Sequence, residues 1–260
     1  MRLNENVAII TNKLILVPYE ESHVLEYSEW MSSEALREAT RSDRLTLSQE
    51  YAMQKAWRED ADKLTFILCL PSERLQEALT QGSEDTSVRP EYTVIEGSDD
   101  TNGNLIGDVN LFLCEDGDDL EEDDERKEVA GEIEVMIAKM EYQGQGLGKV
   151  AVLVFILYVL RHREQILAEG NSDWLTAKEK RLKHLRVKIG KDNTGSLMLF
   201  QKLGFKKIKE EPNVFDEFEL RLSIEPQSEV EARLERMLNE CGVNQLVEGG
   251  FQNMEVSEEI

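Results

Sequence analysis

Short apolar runs, several of them alternating with polar residues, predict most of the strands of this chain. The first run is stopped by Pro18, because proline has no backbone N–H to donate to a sheet. The strands are predicted at residues 13–17, 65–70, 105–114, 132–138 and 185–189, with a closing hairpin at 205–209 and 215–224.

Apolar residues at helical spacing predict the helices between these strands. Thr46 and Gln49 form a capping box for a helix that runs through Trp57. Gly204 closes the helix before the last hairpin as its C-terminal cap. The helices are predicted at residues 23–31, 46–57, 146–163, 194–203 and 230–238.

The order of these elements predicts one α/β domain over residues 13–224, with a mixed, mostly antiparallel twisted sheet flanked by helices. Three charged stretches, at about 72–103, 115–128 and 164–183, are predicted to be loop insertions with little core. Residues 225–260 are predicted to be an acidic C-terminal tail, partly helical or flexible.

Composition narrows the class of protein. A formal charge of −23 argues against nucleic-acid binding. It either reflects solubility and solvated acidic loops or favours a basic partner. Three unpatterned cysteines predict a reducing compartment, the cytoplasm or the nucleus. Three separated histidines predict no metal site. The N-terminal residues lack the apolar core of a signal peptide, and the run at 150–160 is too short to cross a bilayer, so no membrane association is expected.

The candidate chemistry lies where the strand at 132–138 runs into a glycine-rich turn and then a helix. Such a turn lets backbone N–H groups converge on phosphate, and the helix dipole adds to that attraction. The spacing of Gly144, Gly146 and Gly148 fits neither a P-loop nor a dinucleotide fingerprint. An anion site beside two strand carboxylates favours group transfer from a phosphate-bearing carrier.

Gln143-x-x-Gly146-x-Gly148 matches the acyl-CoA signature [QR]-x-x-G-x-[GA] of the GNAT acetyltransferases. The segment 193–205 resembles the same family's N-x-x-[SA]-x-x-[LF]-[YF]-x-K-x-G-F run. The segments 16–19, 29–31 and 107–112, together with His23, are most similar to the N-acetyltransferase 9-like branch, within the ribosomal-protein N-terminal acetyltransferases. The resemblance covers roughly residues 13–224 and is strongest from 131 to 210.

This resemblance implies acetyl-CoA as co-substrate and no metal. It places the pantetheine arm against the backbone where the fourth and fifth predicted strands part, and the diphosphate in the glycine turn. The implied cofactor-binding residues are Met136, Ile137, Ala138, Gln143, Gly144, Gln145, Gly146, Leu147, Gly148, Lys149, Asn193 and Phe200.

Acetyl transfer to an amine requires a base, because an ammonium has no lone pair. Glu132 and Glu134 are two apart on a strand and therefore share a face, where desolvation is expected to raise the pKa of Glu132. Family members carry a basic glutamate at the position of Glu132, and Glu134 is the alternative, acting directly or through a water. Asn193 is a third candidate catalytic residue, which the family uses for a CoA or water contact. A helix N-cap is the other interpretation of Asn193.

Many relatives have a tyrosine where Phe200 stands, and its hydroxyl protonates the departing thiolate. Phenylalanine has no proton to donate, so a water, Tyr142 or Ser196 replaces it, or the thiolate leaves unaided. Four aromatic residues either line an acceptor pocket or, as is more usual at such spacings, form core: Tyr19, Trp30, Trp57 and Phe112.

The sequence thus predicts an acetyl-CoA-dependent N-acetyltransferase that acts on a protein or peptide amine, with an N-terminal α-amino group as the expected acceptor. Tubulin is a partner implied by the resemblance alone. Two alternatives stay open: a catalytically weak CoA-binding interaction protein, with the cytoskeleton as one site of association, and an acetyltransferase of small-molecule amines.

Overall fold

The strands and helices were located in a computed structural model, which describes residues 1–80, 92–116, 126–170 and 179–252. Within these residues the strands are β1 (Val7–Thr11), β2 (Ile15–Pro18), β3 (Lys63–Cys69), β4 (Thr93–Ile95), β5 (Leu105–Glu115), β6 (Arg126–Ile137), β7 (Glu179–Gly190), β8 (Lys206–Lys207), β9 (Glu217–Ser223) and β10 (Leu246–Gln252). They form one sheet in the order β4-β10-β1-β2-β3-β5-β6-β7-β9-β8. Only the β6–β7 and β10–β4 pairs of these described strands are parallel, so the predicted mixed, mostly antiparallel sheet is confirmed.

The helices of the described residues are α1 (Val24–Trp30), α2 (Glu34–Thr40), α3 (Leu47–Glu59), α4 (Glu73–Thr80), α5 (Leu147–Arg161), α6 (Arg163–Glu169), α7 (Thr194–Lys202) and α8 (Gln227–Glu240). The capping box of α3 is present as predicted, with Thr46 and Gln49 each accepting a hydrogen bond from the other's backbone N–H. The predicted helices and strands are present with shifted ends, and β1, α2, α4, β4, α6 and β10 are elements that the sequence pattern did not predict.

The two faces of the sheet pack against different helices, and β3 illustrates the division. Phe66 packs with Phe155 and Tyr158 of α5, their ring centroids 6.1 and 5.3 Å from its own. Its neighbour Ile67 points to the other face, where it belongs to a second cluster of buried residues that includes those of α1. Helix α5 is buried along its whole apolar length from Val150 to Leu160, as expected of a helix covered on all sides.

The segment 72–103 was expected to have little core, and its described part differs from that expectation. Leu75 and Leu79 of α4 are 1% and 5% exposed, and Val94 of β4 is fully buried. The apolar residues that anchor this segment are few and widely spaced among polar ones, which concealed them in the sequence pattern. Residues 81–91 lie outside the described residues.

The expectation of an entirely solvated acidic tip at 115–128 is wrong for Asp116, which is 3% exposed and lies 3.2 Å from Nζ of Lys183. Strands β5 and β6 extend to Glu115 and from Arg126, so they take up both ends of the segment. In the same way α6 and β7 occupy the ends of the predicted insertion at 164–183. Residues 117–125 and 171–178 lie outside the described residues.

The segment after residue 225 contributes both a helix and a strand to the fold. The predicted helix is present as α8, and it buries Val230, Leu234 and Leu238 against the cluster that contains α5. Strand β10 was not predicted, and it pairs antiparallel with β1 along five residues. The tail is therefore packed from 227 to 252, and residues 253–260 lie outside the described residues.

If α8 is part of the core, Leu234→Ala should destabilise the protein strongly. Leu234 is fully buried, and a leucine-to-alanine change in a core costs about 2–5 kcal/mol. Arg236→Ala, on the exposed side of the same helix, should change stability by less than about 0.5 kcal/mol. Urea unfolding followed by circular dichroism measures both. Equal midpoints for the two variants would show that α8 does not stabilise the fold.

Candidate active site

Strands β6 and β7 part from each other in the middle of the sheet. Their parallel pairing ends at Glu132 and Arg186. Beyond that point β6 stays paired with β5 as far as Ile137, and β7 stays paired with β9 as far as Gly190. The resulting gap, bounded by residues 133–138 and 187–190, is called the β6–β7 cleft below. Its walls carry backbone groups that face no neighbouring strand.

The backbone of Met136, Ile137 and Ala138 forms the β6 wall of this cleft, and its pairing with pantetheine stays a prediction. The Ala138 N–H donates to the Ile106 carbonyl at 2.8 Å, on the β5 side. Because successive residues of a strand direct their amides to opposite sides, the Ile137 N–H faces the cleft. The Ile137 carbonyl accepts from Nε2 of Gln143 at 2.7 Å. The side chain of one predicted cofactor-binding residue thus holds the backbone of another in place.

Gly107 allows β5 to approach this wall closely. A Cβ atom at residue 107 would lie 1.9 Å from the Met136 carbonyl oxygen, far inside van der Waals contact. Any larger residue would push β5 and β6 apart at the cleft.

The glycine turn leads from β6 into α5. Gly144 and Gly146 have φ angles of +71° and +83°, a region that favours glycine, and Gly146 is the N-cap of α5. No side chain caps this helix, and the Val150 N–H is the one that bonds back to the Gly146 carbonyl. The amides of Leu147, Gly148 and Lys149 therefore have no intrahelical acceptor. Such an end suits a diphosphate.

The remaining predicted cofactor residues occupy different surroundings. Gln145 donates from Nε2 to the Glu141 carbonyl, which stiffens the turn. Asn193 is the N-cap of α7, where its Oδ1 accepts from the Ser196 N–H at 3.0 Å, in line with the alternative interpretation. Phe200 is 3% exposed, and its ring meets Phe205 edge to face at 5.1 Å. The cofactor contacts predicted for Asn193 and Phe200 stay predictions.

Glu132 and Glu134 share one face of β6, as predicted, while Ile133 packs into the core behind them. Their surroundings differ. Oε2 of Glu132 lies 2.8 Å from Nε of Arg186 and 2.9 Å from Nζ of Lys188. These two cations of β7 share one oxygen of the Glu132 carboxylate, and the sequence pattern gave no sign of them.

Glu134 has no ion pair or side-chain hydrogen bond within the described residues. Its side chain reaches solvent in the cleft, yet the surrounding protein desolvates it. Desolvation, together with the negative charges of Asp108 and Glu132, raises the pKa of Glu134 to about 7, against the opposing effect of Lys63 and Lys188. A carboxylate with this pKa can take a proton at neutral pH.

A row of polar side chains on β3 and β5 lies next to Glu134, and sequence analysis missed it. Asn110 is directly opposite Glu134 in the β5–β6 register. Oγ1 of Thr65 donates to Oδ1 of Asn110 at 2.7 Å, and Nδ2 of Asn110 donates to Oδ2 of Asp108 at 2.9 Å. The signal was available, since Asp108 and Asn110 alternate with Val109 and Leu111 inside a strongly apolar strand.

Lys63 ends this row next to two aromatic rings. Its Nζ lies 3.2 Å from the centroid of Trp57 and 4.3 Å from that of Phe112. Desolvation lowers the pKa of Lys63 to about 8, although Glu134 and other nearby acids favour its charge. The ring faces hold this ammonium through cation–π attraction.

The aromatic residues of α1, together with Tyr19 directly after β2, form a packed wall over the polar row. Tyr19 is fully buried and Trp30 is 7% exposed, which confirms the core interpretation for these two. Trp57 and Phe112 are half-buried beside Lys63. The Tyr19 and Tyr27 ring centroids are 5.2 Å apart, and the Tyr27 hydroxyl reaches the polar row.

No group of three or more His, Cys, Asp or Glu residues in the described ranges is placed to hold a metal ion. None of the helices within those ranges combines the length and hydrophobicity needed to cross a membrane.

Comparison with known proteins places this geometry in a family. The family model of the acetyltransferase (GNAT) domain matches residues 13–206. The N-acetyltransferase 9-like protein of Caenorhabditis briggsae is 36% identical over 241 residues, which cover 92% of this chain and 96% of that protein. The alpha/beta-tubulin-N-acetyltransferase 9 of Mus musculus is 40% identical over 228 residues, covering 87% of this chain and 76% of that protein.

A solved structure supports the fold. The acetyltransferase (GNAT family) from Bacillus anthracis superposes with a TM-score of 0.51 at 11% identity, covering 83% of this chain and 98% of that one. The parted strands, the glycine turn and these relatives agree with one another. The chain therefore belongs to the GNAT family of acetyl-CoA-dependent acetyltransferases and, within it, to the N-acetyltransferase 9-like proteins.

Proposed function

We propose that this enzyme transfers the acetyl group of acetyl-CoA to the N-terminal α-amino group of a protein, with Glu134 as the general base. The proposal rests on the surroundings of Glu134. This carboxylate stands in the β6–β7 cleft without a counter-ion in the described chain, and its pKa is raised to about 7. Glu132, the other candidate base, is engaged by Arg186 and Lys188.

Acetyl-CoA supplies an activated thioester carbonyl for this reaction. The acceptor ammonium loses one proton to Glu134, directly or through one water, and the lone pair so released forms the new C–N bond. The nitrogen gives up its second proton to the departing thiolate or to water as the amide forms. The C–S bond breaks and the electron pair leaves with the sulfur. A thiol pKa of about 8.5 makes the thiolate a fair leaving group without a positioned acid. Phe200, which is buried against Phe205, has no proton to give.

The placement of acetyl-CoA rests on the turn and the β6 wall. The first-turn amides of α5 and its dipole favour the diphosphate, and the Ile137 N–H is directed to where an extended pantetheine arm can pair with it. In this placement the thioester lies near Met136 and Ala138, next to Glu134 along the strand. The roles of Asn193 and Lys149 at the cofactor are part of the proposal.

The choice of acceptor rests on the relatives and on charge. The mouse and human relatives are named alpha/beta-tubulin-N-acetyltransferase 9, and we include tubulin chains among the acceptors proposed here. The net charge of −23 favours the approach of a positively charged amine.

Purified protein, acetyl-CoA and a pool of peptides with free N-termini and internal lysines test the acceptor. We expect acetylation on the α-amino group, located by tandem mass spectrometry. Matched peptides with blocked N-termini should stay unmodified. Transfer to lysine or to polyamines instead would contradict the α-amine proposal, and CoA binding without any transfer would favour an interaction protein.

Glu134→Gln should lower kcat by about 10²- to 10⁴-fold, the range that general-base catalysis contributes. The amide keeps the shape of the side chain but cannot accept the proton, so acetyl-CoA affinity should stay unchanged. Steady-state kinetics and isothermal titration calorimetry measure the two quantities. Glu132→Gln is the matched comparison on the same strand face. A larger loss of kcat in Glu132→Gln, with folding intact, would make Glu132 the base.

The pH profile should show the ionisation of Glu134. Because the base acts in its deprotonated form, kcat at saturating peptide should be constant well above pH 7 and fall about tenfold per pH unit below it. The acceptor amine ionises in the wild type and in Glu134→Gln alike, so the difference between their profiles isolates Glu134. Parallel profiles would contradict its role as base.

A further inference from the structure

Asp108 is a buried carboxylate without a counter-ion. It is 3% exposed, and no Lys, Arg or His in the described ranges forms an ion pair with it. Its two side-chain hydrogen bonds come from Nδ2 of Asn110 at 2.9 Å and from the Tyr27 hydroxyl at 3.3 Å, and both reach Oδ2. Burying a charge that no cation pairs is costly. Next to Glu134, which reaches solvent, such a group can stabilise the charge of a cationic ligand.

The polar row fixes Asp108 as an acceptor. The Thr65 hydroxyl donates to Oδ1 of Asn110, which turns the amide so that its NH₂ group points at Asp108. Tyr27, from α1, donates to the same Asp108 oxygen. Both donors favour the ionised carboxylate, and the second oxygen, Oδ1, receives no side-chain hydrogen bond from the described residues.

Asp108 and Glu134 lie on one face of two neighbouring strands. Asp108 is opposite Met136 and Asn110 is opposite Glu134, so the two carboxylates are diagonal neighbours. Diagonal positions are about 7–8 Å apart at the backbone, and flexible side chains can close much of that distance. A single ammonium can then donate to one oxygen of each carboxylate at about 2.8 Å.

We propose that Asp108 and Glu134 together form a binding subsite for the primary ammonium of the acceptor, in which Asp108 holds the charge and Glu134 takes the proton. This subsite rests on the proposed function. It would give the enzyme its preference for a cationic primary amine over a neutral group of the same shape. Tyr27, whose ring meets that of Trp57 edge to face at 6.3 Å, covers Asp108 from the α1 side.

The charges around the pair determine its response to pH. Lys63 of β3 and Lys188 of β7 oppose the negative charge, Glu132 of β6 adds to it, and Tyr27 of α1 faces Asp108. Desolvation raises the pKa of Asp108 to about 6, so this carboxylate is ionised at pH 7.5. Its charge is in turn one cause of the raised pKa of Glu134. Neutralising Asp108 therefore lowers the pKa of Glu134.

Asp108→Asn is the variant that tests the subsite. Both internal hydrogen bonds reach one oxygen, so the amide oxygen of asparagine can accept both, and its NH₂ group replaces Oδ1. We expect KM for the peptide to rise about 10- to 100-fold, which is the usual effect of losing a charged hydrogen bond. The acid limb of the kcat profile should move to lower pH, with acetyl-CoA affinity and melting temperature unchanged. Glu240→Gln, an exposed carboxylate-to-amide change on α8, is the control and should alter none of these.

A second measurement does not depend on any variant folding. A des-amino peptide, in which hydrogen replaces the α-amino group, should compete at least tenfold more weakly than the amine peptide against wild-type protein loaded with CoA. In Asp108→Asn this discrimination should shrink, because only Glu134 is then left to hold the ammonium.

Equal binding of the two peptides by the wild type overturns the subsite. So does a folded Asp108→Asn protein whose KM rises while the acid limb stays in place and the discrimination persists in full, because that pattern belongs to a structural role. Failure of the proposed function gives a different result, since the wild-type protein would then acetylate no N-terminal amine at all.

Discussion

The end of the β6–β7 pairing at Glu132 and Arg186 is the constraint on which the site depends. Each strand stays paired on its outer side, so the parting is held open by the rest of the sheet and not by a loop. Unpaired backbone groups in the middle of a sheet need water or a ligand as partner. The ion pairs of Glu132 with Arg186 and Lys188 lie at the point where the two strands separate. There they join β6 to β7 through side chains, directly before the backbone pairing ends. The separation of β6 and β7 at this point creates the cleft, exposes the backbone of the β6 wall and leads into the turn that begins α5.

Strand β5 serves two environments because its side chains alternate. Val109 and Leu111 pack into the core that α5 completes, whereas Asp108 and Asn110 face the side of the sheet that α1 covers. A buried carboxylate destabilises a fold unless hydrogen bonds or a cation compensate it. Here Asn110 and Tyr27 supply hydrogen bonds, and the counter-ion is left to a ligand. An apolar residue at position 108 would be buried at a lower cost in folding free energy. The presence of a carboxylate there is therefore better explained by binding than by stability.

Sequence alone predicted what depends on local pattern. The strands that alternate, the capping box at Thr46 and the glycine turn were found because each is encoded within a few neighbouring residues. Strand β10 was missed because Leu246–Gln252 is glycine-rich and becomes a strand only by pairing with β1, more than 200 residues earlier. The placement of Glu132 and Glu134 on one face was predictable from a period of two. Their different partners were not, since Arg186 lies 54 residues from Glu132 and its approach depends on the register of β7.

That register also explains why two glutamates on one strand face differ chemically. Had β6 and β7 stayed paired for two more residues, Lys188 would lie beside Glu134, as Arg186 lies beside Glu132. Because the strands part, Lys188 instead reaches back to Glu132, 2.9 Å away, and Glu134 loses its cation. Glu134 is then left with Asp108 on β5 and Glu132 on its own strand as charged neighbours. These two negative charges add to the effect of desolvation in raising the pKa of Glu134. Desolvation remains the largest cause of the raised pKa. The separation of strands that admits the thioester in the proposed placement also keeps Lys188 from pairing with Glu134, so proposed cofactor access and the missing counter-ion have one structural cause.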